Sequence, residues 1–129
     1  MRNLTAGSEF TLNDASRSIV MNHLNSFIEQ QLEGVLSDYT EESVLITQDA
    51  SYTGPGEIRG FFTGLMAYFP KEAPGFKLDK LIVNNDLVFI VWHATTPGLE
   101  VKLGTDTFII RDGKIHQQTF AGYLKFLQS

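Results

Sequence analysis

The chain has 129 residues, of which 43% are hydrophobic and 19% charged, the size and balance of one packed domain and not of a disordered or low-complexity polymer. Its formal net charge of -5 and pI near 5.0 leave no positive field to gather nucleic-acid phosphates or an anionic membrane. The absence of cysteine excludes disulfides, thiolate nucleophiles and cysteine-based zinc sites, and with no signal-peptide core and no run of bilayer-spanning length the expected location is cytoplasmic, without membrane or nucleic-acid partners.

Residues 1–12 show little periodicity and are expected to form a flexible arm, leaving 13–129 as a single domain. Asn13 or Asp14 can cap a helix, after which Ile19, Val20, Leu24, Phe27, Ile28 and Leu32 recur at three- and four-residue intervals. Past Gly34, the residues Val35, Leu36 and Tyr39 suit a short second helix ending before Glu41 and Glu42. Residues 44–47 then read as a strand, and 48–52 as a loop. Pro55 favours a first helical turn and Glu57 the positive end of a helix dipole, so Ile58, Phe61, Phe62, Leu65, Met66 and Phe69 make the apolar side of a third helix that Pro70 stops.

From Phe76 the period becomes two, giving strands at about 76–83, 87–95, 100–111 and 114–123. They are joined by turns at Asn84-Asn85-Asp86, Thr96-Pro97-Gly98 and Asp112-Gly113. Helices followed by an antiparallel meander imply an α+β layer with one sheet face under the helices. Ile109 and Phe120 are assigned to the opposite face, where large side chains call for a homodimer through the sheet.

Two residues stand out chemically. His23 lies on the edge of the buried stripe of the first helix, where it is either a core-edge histidine bonded to a backbone carbonyl or a pocket residue. Asp106 shares a strand face with Phe108 and Ile110, an apolar setting in which a carboxyl must be paired or protonated; Thr119 is a candidate partner. Trp92 and His93 alternate on one strand. A regular hairpin turns His93 toward Asp106, whereas a bulge or an odd loop turns Trp92 there. The signatures of phosphate loops, zinc proteases and serine hydrolases are missing, and the three histidines fall on different elements, so no metal site and no cofactor are expected.

The strings Leu32-Glu33-Gly34-Val35-Leu36-Ser37-Asp38-Tyr39-Thr40-Glu41-Glu42-Ser43-Val44, Gly56-Glu57-Ile58-Arg59-Gly60-Phe61-Phe62 and Asp106-Thr107-Phe108-Ile109-Ile110-Arg111-Asp112-Gly113-Lys114-Ile115, with the order of elements, resemble the nuclear-transport-factor-2-like superfamily. This group includes ketosteroid isomerases and SnoaL-like polyketide cyclases. The resemblance covers about residues 14–123. It implies a cone-shaped α+β barrel in which a long N-terminal helix and two shorter ones enclose a cavity against a strongly curved, mainly antiparallel sheet, and it commonly implies a dimer through the convex face.

The resemblance places His23 where ketosteroid isomerases carry an oxyanion-binding tyrosine, and Asp106 where they carry a protonated aspartate. His23 and Asp106 are therefore the candidate catalytic pair, expected to meet across the cavity with the carboxyl orienting the imidazole. Tyr39, Thr47, Tyr52, Phe62, Met66, Phe89, Trp92, Phe108, Gln117 and Thr119 are the candidate ligand-binding residues. Thr47 aligns with the isomerase general base and cannot take a proton from carbon, so steroid isomerisation is not expected. Asp38, Glu41 and Glu42 read as a cap and an exposed acidic turn. The expected function is a SnoaL-like pocket for a small, largely apolar molecule, with cofactor-free isomerase, dehydratase or cyclase chemistry if it is an enzyme. The alternative is a non-catalytic ligand-binding or dimerisation module.

Overall fold

The computed structural model describes residues 10–71 and 75–127, so most of the expected N-terminal arm lies outside the described residues. Helix α1, Leu12–Ile28, starts slightly earlier than its periodicity suggests. Thr11 is the cap: its Oγ1 accepts from Asp14 N–H and its own N–H donates to Asp14 Oδ2, both at 3.1 Å. Asp14 thus acts as the third helical residue of a capping box and not as the cap itself. Asn13 is released to accept from Asn85 N–H at 2.6 Å, and Ser16 donates to Asn85 O at 2.6 Å, tying α1 to the turn at Asn85.

Helix α2 is Leu32–Leu36 and ends before Tyr39, which opens the longer strand β1, Tyr39–Thr47. The segment expected as a loop contains the short strand β2, Ser51–Thr53. Helix α3, Gly54–Met66, begins at Gly54 with φ 82°, a left-handed conformation that glycine adopts without strain. Strands β3 (Phe76–Asn84), β4 (Leu87–Thr95), β5 (Leu99–Arg111) and β6 (Lys114–Phe126) follow closely the period-two reading.

The six strands form one curved, open sheet in the order β2-β1-β6-β5-β4-β3. Every neighbouring pair is antiparallel except β1 and β6, which run parallel. α1 and α3 lie over the concave face. Val20, Leu24 and Phe27 from α1, Ile58, Phe62 and Met66 from α3, and Leu45, Val88, Ile90, Phe108 and Ile110 from the sheet are buried together as the core. Among the described residues no helix is long and apolar enough to cross a membrane.

Two one-residue bulges decide which side chains face inward. At the tight turn Arg111 pairs with Lys114 and Ile110 with Ile115, yet the next pair is Ile109 with Gln117, so His116 is an extra residue in β6. Beyond it every side chain of β6 changes face. Gln118 and Phe120 therefore point into the concave side opposite Phe108 and Asp106, while Gln117 and Thr119 point outward. This corrects three expectations: Gln117 and Thr119 are not pocket residues, and Phe120 does not share the outer face with Ile109.

The second bulge lies in β5. Val101 pairs with Ala94 but Gly104 with Trp92, which spends an additional residue at Lys102-Leu103 and turns both outward. It resolves the alternation of β4. Trp92 and Ile90 face inward with Asp106, His93 faces out, and Phe89 pairs with Thr107 on the convex side and leaves the list of pocket residues.

Candidate functional site

Asp106 sits in the middle of β5, 8% exposed, with Ile90 and Phe120 as its cross-strand neighbours. Its Oδ1 accepts from Trp92 Nε1–H at 2.8 Å and its Oδ2 from Gln118 Nε2–H at 2.8 Å. The indole reaches the carboxyl because it lies flat across β5 at Gly104, where a Cβ would stand 2.5 Å from indole Cε2. The Phe76 ring, at 5.2 Å, and the Phe120 ring, stacked at 5.8 Å and 22°, hold it there. Burial pushes the Asp106 pKa up to about 6, against the pull of the Trp92 and Gln118 bonds and of His23.

His23 projects from α1 onto the same hollow, 2% exposed, edge-on to Tyr39, Phe62 and Phe108 at 5.5, 5.7 and 5.9 Å. Its Nδ1 lies 3.0 Å from Asp38 Oδ2. A carboxylate only accepts, so Nδ1 carries the proton of that bond. The Tyr39 hydroxyl oxygen lies 3.3 Å from Nε2, and the same hydroxyl donates to Gln118 Oε1. Burial, then the Asp106 and Asp38 carboxylates, raise the Tyr39 pKa well above the usual phenol range, so it remains a donor.

The expected direct pairing of His23 with Asp106 is thus replaced by two hydrogen-bonded groups, Asp38–His23 and Tyr39–Gln118–Asp106–Trp92, which meet where His23 Nε2 lies 3.3 Å from the Tyr39 hydroxyl oxygen. The residue that orients the imidazole is Asp38, with a side chain only 19% exposed, and not a member of a hydrated acidic turn. Asp38 is held in place by its own carbonyl, which accepts from Ile115 N–H at 2.7 Å. Neither Asp38 nor Gln118 was legible as a site residue. The available signal for Asp38 was that a buried histidine needs an acceptor, and for Gln118 it was hidden behind the His116 bulge.

Between these groups lies an inner cavity of about 40 Å³, with His23, Asp106 and Gln118 as its polar lining and Leu24, Phe27, Phe61, Phe62, Leu65, Phe76, Ile90, Trp92, Phe108 and Phe120 as its apolar walls. By the measure in which one water needs about 10–15 Å³, it holds a few waters or one small head group. Phe61, Leu65 and Phe120 border both this cavity and an open groove of about 580 Å³, which Tyr52, Tyr68 and Phe126 also line with aromatic surface.

Of the remaining expected residues, Phe62, Phe108 and Trp92 line the inner cavity, and Thr47 and Tyr52 the outer groove. Met66 belongs to the core and borders neither space. The Thr47 hydroxyl is spent on its own turn, accepting from Asp49 and Ala50 N–H at 3.1 Å and lying 3.3 Å from Ala50 O. Among the described residues no three His, Cys, Asp or Glu side chains come together as a metal-binding group.

The SnoaL-like domain family matches residues 20–118. No curated protein matches the chain. Among solved structures, a de novo designed protein with a curved β-sheet superposes with a TM-score of 0.73 at 14% identity, covering 85% of this chain and 86% of that one. A candidate ketosteroid isomerase of Kribbella flavida does so at 0.73 and 13% identity, covering 94% and 87%. A candidate SnoaL-like polyketide cyclase of Shewanella denitrificans gives 0.68 and 14%, covering 84% and 90%. At such identities these likenesses concern the fold alone. The family match spans most of the domain, from the middle of α1 to the Gln118 that meets Asp106, and the chain belongs to the SnoaL-like domain family on the nuclear-transport-factor-2-like fold.

Proposed function

We propose that this chain binds a small, largely apolar organic molecule whose one polar group enters the inner cavity at Asp106 while its body extends past Phe61, Leu65 and Phe120 into the aromatic groove. The observation that carries this reading is the buried carboxyl itself. Asp106 costs folding free energy in an aromatic chamber, is fixed by two directed N–H bonds, and borders open volume and not packed core. Its pKa of about 6 suits a group that takes and returns a proton near neutral pH. His23, oriented by Asp38, stands on the same cavity as the second proton-handling group. The chemistry that fits is cofactor-free acid–base work of the isomerase, dehydratase or cyclase kind. Classical steroid isomerisation does not fit, because the Thr47 hydroxyl is engaged in its turn.

Native mass spectrometry of the purified protein, followed by a thermal-shift screen of small alcohols, carbonyl compounds and carboxylic acids, tests the proposal, since a ligand of the native state raises its melting temperature by mass action. Hits that weaken on His23→Ala or Asp106→Asn, and not on exposed changes such as Lys77→Ala, support the pocket. A protein with no co-purifying molecule and no hit in any class overturns it.

A second reading, in which the domain serves assembly, has its own observation. A row of outward side chains crosses five strands, Ile82-Phe89-Thr107-Thr119-Ile46, with exposed Leu103 and Tyr123 nearby. We propose that this convex face is covered by a second copy of the chain.

A further inference from the structure

The donors and acceptors around Asp106 determine which polar group the inner cavity receives. Tyr39, kept protonated by burial and by the Asp106 and Asp38 carboxylates, gives its single hydroxyl hydrogen to Gln118 Oε1. That bond leaves Gln118 Nε2 facing Asp106 Oδ2 at 2.8 Å, and Trp92 Nε1–H faces Oδ1 at 2.8 Å. Neither arrangement reverses readily: an indole nitrogen has no lone pair to offer, and an amide turned over would set its carbonyl against a carboxylate. Asp106 is thereby held as an acceptor, with a further lone pair on each oxygen and the second amide hydrogen of Gln118 beside it.

We propose that the inner cavity selects a hydroxyl head group, an alcohol or phenol on an apolar body, which donates to Asp106 and accepts from Gln118, over a ketone or aldehyde of the same shape. A carbonyl oxygen at that point meets a carboxylate and leaves the Asp106 lone pair without a donor. The inference rests on the reading that the cavity takes the ligand's polar group, and it reverses the role implied by the resemblance to ketosteroid isomerases, in which the aspartate donates. It also carries its own pH dependence. The ionisable groups facing Asp106 are His23 from α1, with Asp38 behind it, and Tyr39 from β1; its neighbours on β4 and β6, Trp92 and Gln118, are neutral. Below about 6 Asp106 takes up a proton and becomes a donor, so the preference for hydroxyls narrows there.

The experiment titrates the protein with two matched pairs, 1-indanol against 1-indanone and cyclohexanol against cyclohexanone. Binding is followed by the NMR signal of the Trp92 indole N–H, well above and well below the Asp106 pKa. At the higher pH the alcohol of each pair is expected to bind about ten- to a hundred-fold more tightly, the gap narrowing at the lower pH and closing in Asp106→Asn. Should that variant not fold, the pH dependence of the unaltered protein carries the same comparison. Ketones that bind as well as or better than the alcohols at the higher pH overturn this inference and leave the pocket reading standing. If none of the four compounds moves the Trp92 signal, this inference falls, and the pocket reading stands or falls on the co-purification and thermal-shift tests above.

Discussion

Asp106 makes the energetic cost of the site measurable. Its folded pKa of about 6 lies above its ordinary value of 3.8, so between those values the native state holds a proton that the unfolded chain releases. Its contribution is full below about 3.8, and is lost as pH rises through about 6, where the buried carboxyl ionises. A shift of about two units corresponds to about 3 kcal/mol. Asp14 and Glu33, whose pKa values are lowered by hydrogen bonds to Thr11 and Arg59, act in the opposite sense at lower pH. The difference between wild type and Asp106→Asn isolates the Asp106 contribution. In urea unfolding across this range, wild type should lose stability relative to the variant between about pH 4 and pH 6, by about 3 kcal/mol in total; a flat difference would show that Asp106 is not buried as described.

Asp38 invites a second test at the same scale, because its carboxylate satisfies the Nδ1–H of a nearly inaccessible imidazole. Asp38→Ala leaves that donor unpaired at a cost of about 1–3 kcal/mol, while Asp38→Asn keeps an acceptor oxygen and should recover part of it. Chemical denaturation of the two variants reads the difference. Equal losses would mean that the bond to His23 contributes nothing.

At the scale of elements, the helices and the meander were legible because their apolar periods are long and their turns carry Asn, Asp, Gly and Pro. The bulges were not. One extra residue leaves no mark on local composition, yet it inverts the faces of everything beyond it, which is why Gln118 and Phe120 took the places expected of Gln117 and Thr119. The Lys102-Leu103 bulge decided between Trp92 and His93 in the way the alternation allowed but could not choose. Asp38 was missed for another reason: a carboxylate in an acidic stretch reads as solvated, and only tertiary packing brings α1 against it.

The same element also offers a sharp substitution. In Gly104→Ala the new Cβ stands within 2.5 Å of the Trp92 ring, so the indole must lift from β5 and surrender its bond to Asp106. Overpacking of this kind costs about 1–3 kcal/mol. Because Trp92 is the only tryptophan, its fluorescence reports the change directly: the emission should move to longer wavelength as the ring gains water, together with a lower urea midpoint. An unchanged spectrum would mean that the strand absorbs the methyl group without moving the indole.

For the molecule as a whole, the sheet has two unequal faces. The concave one is closed by α1 and α3, but the convex one exposes Ile46 at 47%, Ile82 at 51%, Leu103 at 52% and Tyr123 at 62%. Threonines at 105, 107 and 119 lie between these apolar groups, leaving a centre without charged side chains. In the proposed dimer, packed face to face about a two-fold axis, the apolar ends of one copy would meet those of the other with the threonines in the middle. A stable interface of ordinary size hides about 800 Å² per partner, a fraction of the 7318 Å² that this chain exposes. Sedimentation should therefore give twice the 14.4 kDa of the chain across the micromolar range. Thr119 is exposed at the centre of this row, so Thr119→Lys should leave the monomer folded and set two like charges against each other across the axis, shifting the population to monomer with an unchanged circular dichroism spectrum. A wild type that sediments as a monomer would remove the dimer, and a Thr119→Lys protein that remains dimeric would place its interface on another surface.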